Sequence, residues 1–148
     1  MIFEESILKL FDNAERLRVL RSDLLTIADS IGGHSERLRL LLIIKTIDLL
    51  RIMLLYEYEL LDTSPIIQND CVSSYYARRI EILGMAREQI IGHLNELEDL
   101  RRQISSPQAS DRIEQAGGII RSSLQVVNDT VAFLENEIVA AGMDRTKH

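Results

Sequence analysis

Arg87 and His93 are the residues of this 148-residue chain whose types and spacing best suit chemistry. An arginine stabilises negative charge on a phosphate, and a histidine exchanges protons near neutral pH as an acid or a base. Five residues separate the two, so one helix would carry both within two turns. A pair of this kind could bind a phosphate group and exchange a proton beside it.

The Arg-x5-His spacing is similar to that of the HEPN superfamily of small helical RNases, which carry an arginine and a histidine four to six residues apart. The resemblance covers residues 87–93 and implies an RNA substrate and catalytic roles for Arg87 and His93. Glu88 stands where that family usually has a polar amide residue, and an acidic side chain there would oppose an RNA phosphate. A HEPN-like RNase is therefore one alternative function for the chain.

No metal, nucleotide or serine-nucleophile motif accompanies this pair in the sequence. Di-iron bundles use Glu-x-x-His pairs, and no glutamate precedes His34, His93 or His148 at that spacing. Zinc would have too few soft ligands, because Cys71 is the single cysteine. Neither a Walker loop nor a dinucleotide fingerprint occurs. The sequence predicts no metal site and no cofactor.

Lys45, Asp48 and Arg51 form a second cluster, in which spacings of three would let Asp48 bridge both cations on a helix. If a neighbouring element covers the cluster, it is a buried ionic network. If the cluster is exposed, it is a solvated stripe that contributes a few tenths of a kcal/mol per pair. We favour exposure, and the sequence alone does not decide between the two.

Tyr75, Tyr76, Arg78 and Arg79 form a third cluster. Tyrosine beside arginine is typical of interface hot spots and of base-stacking sites. The same composition also occurs where amphipathic side chains lie at the edge of a helical bundle, which is the simpler interpretation. An interface role is the main functional alternative for these four residues.

The composition limits the class of protein. The chain is 46% hydrophobic and 27% charged, as expected of a single globular domain spanning residues 1–148. The net charge of −6 disfavours DNA and makes RNA an improbable partner, because affinity for nucleic acid depends on neutralising phosphates. One cysteine and an opening stretch interrupted by Glu4, Glu5 and Lys9 predict a cytoplasmic protein without a secretory leader.

Three breaks divide the chain into four helical segments. Gly32-Gly33 followed by Ser35, Ser64-Pro65 and Ser106-Pro107 each combine a terminator or proline with a capping residue. The segments cover about 4–31, 35–62, 66–105 and 108–141, with a frayed tail at 143–148. Because the connections are short, the sequence predicts an all-α, antiparallel (up-down-up-down) four-helix bundle. A short helical turn before the third helix is left open, as is a break at Gly117-Gly118.

Apolar residues follow the helical period in the segments. In the first segment the stripe comprises Ile7, Leu10, Ala14, Leu17, Leu20, Leu24, Ile27 and Ile31. In the fourth, a heptad seam typical of a coiled coil comprises Ile120, Leu124, Val127, Val131, Leu134, Ile138 and Ala141. Gly84 and Gly92 lie inside the third segment, and each costs about 1 kcal/mol relative to alanine, so we expect a close helix contact there.

The second segment is the most apolar part of the chain, with about 240° of its circumference apolar, against the ~100° stripe of an ordinary surface helix. A membrane span is disfavoured, because Lys45, Asp48 and Arg51 fall near its middle. The surplus apolar surface predicts a homo-oligomer, with a dimer favoured. The predicted contact residues are Leu41, Ile44, Ile52 and Leu55, which lie among the charged positions of the helical wheel.

These observations favour a non-catalytic helical interaction module that self-associates or serves as an adapter, chaperone or regulatory partner. The first alternative is a helical sensor that binds a small molecule near Arg78, Arg79 or Arg87. The HEPN-like RNase is the second alternative. The sequence names no protein partner or ligand and assigns no biological process.

Overall fold

A computed structural model describes residues 2–62 and 72–146 of the chain, and the side chains of residues 5, 8–56 and 77–140. Four helices make up almost all of these residues: α1 (Ile2–Ser30), α2 (His34–Asp62), α3 (Val72–Arg101) and α4 (Pro107–Thr146). No strand occurs in the described ranges. The prediction of an all-α protein with four long helices is confirmed, whereas Ser64-Pro65 and the start of the third segment at 66 lie outside the described residues.

The helix packing contacts are those of a bundle. α1 packs against α2 and α4, α3 packs against α4 and more loosely against α2, and α2 touches α4 across the centre. The largest fully buried side chains are leucines and isoleucines at helical spacing, as the periodicity predicts: Leu10, Leu17, Leu24, Leu40, Ile43, Ile47, Leu50, Leu54, Leu83, Ile90, Leu97 and Ile113. From Ile120 to Ile138, the predicted seam of α4 is buried or half-buried.

The loop between α1 and α2 is short, and its capping residue differs from the prediction. The carbonyl of Gly33 accepts a hydrogen bond from the Arg37 amide at 2.9 Å, so the helix begins at His34 and Ser35 lies inside its first turn. Glycine is an acceptable N-cap, because it adopts the non-helical backbone at little cost.

The start of α4 is the predicted cap. The Ser106 hydroxyl accepts a hydrogen bond from the Ala109 amide at 3.3 Å, and the Ser106 carbonyl accepts one from the Ser110 amide at 2.9 Å. Pro107 occupies the first helical position, where its missing N–H costs nothing. The Ser106-Pro107 pair therefore begins a helix as its sequence implies.

α3 ends at Arg101, four residues before the predicted end at 105. The reason is a contact from α2, since the Glu36 carboxylate accepts hydrogen bonds from the Ser105 amide at 2.7 Å, the Ser105 hydroxyl at 2.6 Å and the Ser106 amide at 3.2 Å. In a continued helix, the amides of Ser105 and Ser106 would donate to carbonyls of the preceding turn. Here they bind Glu36 instead and hold the α3–α4 loop against the beginning of α2.

The glycines inside α3 and α4 bear on three points: the break left open at Gly117-Gly118, the predicted end of the fourth segment at 141, and the close contact expected at Gly84 and Gly92. α4 continues through Gly117-Gly118 and through Gly142 to Thr146, because an interior glycine weakens a helix without stopping it. Gly117 is buried where α4 approaches α3, and an added Cβ would lie 3.3 Å from Glu98 Oε1. At Gly84 and Gly92, in contrast, a Cβ would meet no described atom within 4 Å, so the expected close helix contact is absent there.

Candidate functional site

Arg87 and His93 do not converge within the chain. Arg87 Nη1 donates a hydrogen bond to Asn128 Oδ1 on α4 at 3.2 Å, while His93 Nδ1 lies 3.5 Å from Glu96 Oε2 on its own helix. Six residues of helix place the two side chains about 9 Å apart along the axis and about 120° apart around it. The structure therefore shows each residue with a partner of its own and no shared position for a phosphate between them.

The cluster of Lys45, Asp48 and Arg51 on α2 is half-buried at Asp48 and Arg51 and exposed at Lys45. Asp48 Oδ1 lies 3.1 Å from Arg51 Nη2 and 3.3 Å from Arg21 Nε on α1, and both Asp48 and Arg51 are half-buried. Lys45 points outward and is exposed. Asp48 thus bridges Arg51 to α1 rather than to Lys45, and the cluster is neither the fully exposed stripe nor the closed network considered from the sequence.

The tyrosine–arginine cluster at the beginning of α3 is only partly described. Arg78 is exposed and Arg79 is half-buried. The backbone of Tyr75 and Tyr76 belongs to α3, and their side chains lie outside the described residues. The predicted interface role of these four residues stays a prediction.

The predicted contact residues on α2 differ in exposure. Leu41 and Ile52 are exposed, as an interface requires. Ile44 is only 5% exposed and belongs to the core, and Leu55 is half-buried against that core. The expected outer position of Ile44 was wrong, because its side chain packs in the core of the chain. The contact role of the half-buried Leu55 stays a prediction.

The outward face of α2 instead carries a continuous row of exposed residues, which we name the α2 seam. Its members follow spacings of four and three in alternation, and every one is exposed: Leu38, Leu42, Lys45, Leu49, Ile52 and Tyr56. Leu42 is 56% exposed and Leu49 is 44% exposed. Alternation of four and three is the heptad pattern by which helices pair. The pattern was present in the sequence, but the apolar residues all around the helix and Lys45 in the row obscured it.

An apolar groove borders the seam. It lies between α2 and α3, has a volume of about 350 Å³, and is lined by Ile52, Met53, Tyr56, Ile82, Met85, Ala86 and Gln89. Met85 is 60% exposed at its rim. The seam and the groove therefore form one apolar surface shared by α2 and α3.

A second cavity lies on the other side of the bundle, between α1 and α4. It has a volume of about 500 Å³ and is lined by Asp23, Thr26, Ile27, Pro107, Gln108, Asp111 and Arg112. Its arginine is already paired, since Arg112 Nη1 lies 3.1 Å from Asp111 Oδ2 and Arg112 Nε lies 3.6 Å from Asp23 Oδ2. Neither this cavity nor the α2–α3 groove is lined by Arg78, Arg79 or Arg87.

The described part of the chain contains neither a candidate metal site nor a candidate membrane span. Among those residues, no three His, Cys, Asp or Glu side chains are grouped so that they could hold a metal ion. Within the same ranges, no helix combines the length and the apolarity needed to cross a bilayer. Comparison with protein-family models, with curated proteins and with solved structures gave no match.

Proposed function

We propose that this protein is a non-catalytic helical interaction module whose contact surface is the α2 seam. The observation that carries the proposal is the exposure of all six seam residues over about 27 Å of helix. An exposed apolar row of this length, in which Lys45 is the one charged member, marks a site of protein interaction, whereas single exposed leucines need no explanation. The heptad spacing specifies the kind of partner, which is another helix.

The energetics favour burial of the seam. Covering a half-exposed leucine or isoleucine side chain stabilises a complex by roughly 1 kcal/mol at ~25 cal/mol per Å². The seam offers five apolar residues of about this exposure: Leu38, Leu42, Leu49, Ile52 and Tyr56. Their combined contribution is of the order needed to offset the loss of translational and rotational freedom on association, especially if each copy contributes its own seam.

Self-association is the form of interaction that we propose. A surface that pairs with itself about a two-fold axis buries the seams of both copies at once, and such isologous dimers are the commonest soluble assemblies. The proposal thus keeps the predicted dimer and, of its predicted contact residues, keeps Ile52. The other seam residues take the place of Leu41, Ile44 and Leu55. The single cysteine supports a cytoplasmic location as part of the same proposal.

We further propose that the four helices alternate in direction. Cross-helix pairs support this arrangement, because residue numbers rise on one helix as they fall on its neighbour. Between α1 and α2, Arg21 meets Asp48 and Asp29 meets Arg37. Between α3 and α4 the same order holds, since Arg87 contacts Asn128, Glu98 contacts Arg121 and Arg101 contacts Ser110.

The two alternatives receive less support. A small-molecule sensor would need a cavity with convergent arginines, and the paired Arg112 is the one arginine lining either described cavity. A HEPN-like RNase would need Arg87 and His93 to meet those of a second copy across a cleft. Loss of RNA cleavage in Arg87→Ala or His93→Ala without loss of the fold would support the nuclease and contradict our proposal.

Sedimentation analysis at tens of micromolar tests the proposal. We expect the parent protein to sediment as a dimer and the Leu42→Glu/Leu49→Glu variant to sediment as a monomer with unchanged helical circular dichroism. Val19→Glu/Val139→Glu is a matched control, because both valines are more than half exposed on other helices and the added charge is the same. A monomeric parent protein, or a control variant that also dissociates, would refute the proposed role of the seam.

A further inference from the structure

We propose that two copies of the chain join through antiparallel pairing of their α2 seams, in a register centred on Ile47. This inference rests on the proposed function and deepens it, since it fixes the direction and the register in which the two copies pair. In this register Leu38 faces the partner's Tyr56, Leu42 faces the partner's Ile52 and Lys45 faces the partner's Leu49.

The spacing of the seam permits this register. From Leu38 to Tyr56 the steps are four, three, four, three and four, and the series is the same when it is read from the other end. Each seam residue of one copy therefore lies at the same height along the helix axis as a seam residue of the antiparallel copy. The residue numbers of each facing pair have the same sum, so no pair is displaced along the axis.

Lys45 decides between the two directions of pairing. In a parallel pair each residue of a heptad seam faces its own counterpart, which would bring Lys45 against the partner's Lys45 in an otherwise apolar contact. In the antiparallel register the two Lys45 residues lie four residues apart along the axis, about 6 Å. A single lysine in a heptad seam specifies the register of pairing at some cost in stability.

Asp48 adds charge complementarity to the same contact. In the antiparallel register the partner's Asp48 lies one residue from the level of Lys45, about 1.5 Å along the axis, and on the same edge of the seam. Among the described residues, the contacts to the Asp48 carboxylate are all made to Oδ1, and the side chain is 30% exposed. Because Arg21 and Arg51 already hold this carboxylate, its contact with lysine contributes to orientation more than to affinity.

The groove between α2 and α3 supplies a place for the partner. Ile52 belongs both to the seam and to the groove wall. The facing Leu42 of the second copy would therefore lie over the groove beside Met85, whose unbranched side chain adapts to an incoming apolar group. Two-fold symmetry fills both grooves in the same way, so each is completed by the other copy.

Disulfide cross-linking tests the direction and register. In a Cys71→Ser background, Leu42→Cys and Ile52→Cys proteins are mixed, allowed to exchange subunits and oxidised mildly. We expect about ten-fold more mixed disulfide than homodisulfide, because identical positions would lie about 15 Å apart along the axis, beyond the reach of a disulfide. Leu42→Cys mixed with Val139→Cys serves as the control and should not cross-link.

The outcomes separate this inference from the proposed function. A dimer that yields mainly 42–42 and 52–52 homodisulfides would overturn the antiparallel register while leaving the seam as the contact. A dimer without any seam cross-link, or a monomeric protein, would overturn both. Adding Lys45→Leu should let homodisulfides form beside the mixed product, and a product ratio unchanged by this substitution would refute the role assigned to Lys45.

Discussion

The contact between α1 and α4 is completed by polar groups that find partners inside the chain, whereas the contact between α2 and α3 leaves apolar groups exposed. On the first side, buried Asn13 donates a hydrogen bond from Nδ2 to Ser123 Oγ at 3.0 Å, and the cavity below Pro107 is lined by charged side chains that water can solvate. On the second side, Ile52, Tyr56 and Met85 line a groove with little polar surface. This difference is the one that we expect if the α2–α3 side binds a partner, as we propose.

The largest effect that distinguishes the two sides should come from truncating an apolar side chain on each. Leu17 of α1 is fully buried, so Leu17→Ala should lower the free energy of unfolding by about 2–5 kcal/mol. Ile52 is 52% exposed, so Ile52→Ala should change the stability of the monomer by about 0.5 kcal/mol or less. Urea unfolding at a protein concentration below dimer formation measures both. Similar losses would mean that Ile52 is covered within its own chain and that the contrast does not hold.

The next effect concerns the polar pair between α1 and α4. Asn13→Ala should lower the free energy of unfolding by about 1–3 kcal/mol, because it removes the donor of a buried hydrogen bond and leaves an acceptor in the core without it. Ser123 keeps a partner in that variant, since its hydroxyl also donates to the Ile119 carbonyl at 2.9 Å. The Ser123→Ala variant and the double variant complete a cycle in which we expect a coupling of at least about 0.5 kcal/mol. Strictly additive losses would show that the two side chains do not support each other.

The smallest effect concerns Glu36, the polar link between α2 and the α3–α4 loop. The hydrogen bond from the Ser105 hydroxyl, followed by that from the Ser105 amide, lowers the pKa of the Glu36 carboxyl below its ordinary value. A carboxyl with a lowered pKa in the folded state stabilises the protein above its unfolded pKa, and this stabilisation is lost as the pH falls through the folded pKa.

The difference in urea midpoint between the parent protein and Glu36→Gln should therefore be constant around neutral pH and shrink in acid. Ser105→Ala should reduce the pH dependence of that difference, since it removes the main cause of the shift. A difference that stays the same into strong acid would mean that the carboxylate charge does not contribute to the loop contact.

Local sequence signals determined much of the architecture. Ser106-Pro107 begins α4 because the serine side chain and the fixed proline backbone act within one turn and need no distant partner. The stripe of α1 from Leu10 to Leu24 is buried because a strongly one-sided helix has only one face to turn inward. The end of α3 at Arg101 could not be predicted in this way, since it depends on hydrogen bonds from Ser105 and Ser106 to Glu36, which is distant in sequence.

The orientation of α2 was decided by tertiary structure alone. Its sequence determined that it is a helix and that it is apolar around most of its circumference, and a helix of that kind has no single preferred face. Packing against α1, α3 and α4 fully buries Leu40, Ile43, Ile47, Leu50 and Leu54 of α2. That packing also carries Ile44 into the core and leaves Leu42 and Leu49 outside, with the Arg21–Asp48 ion pair at its partly exposed edge. The sequence thus specified the surplus of apolar surface, and packing against the neighbouring helices specified which residues present it, because periodicity within one helix holds no information about the surfaces that its neighbours offer.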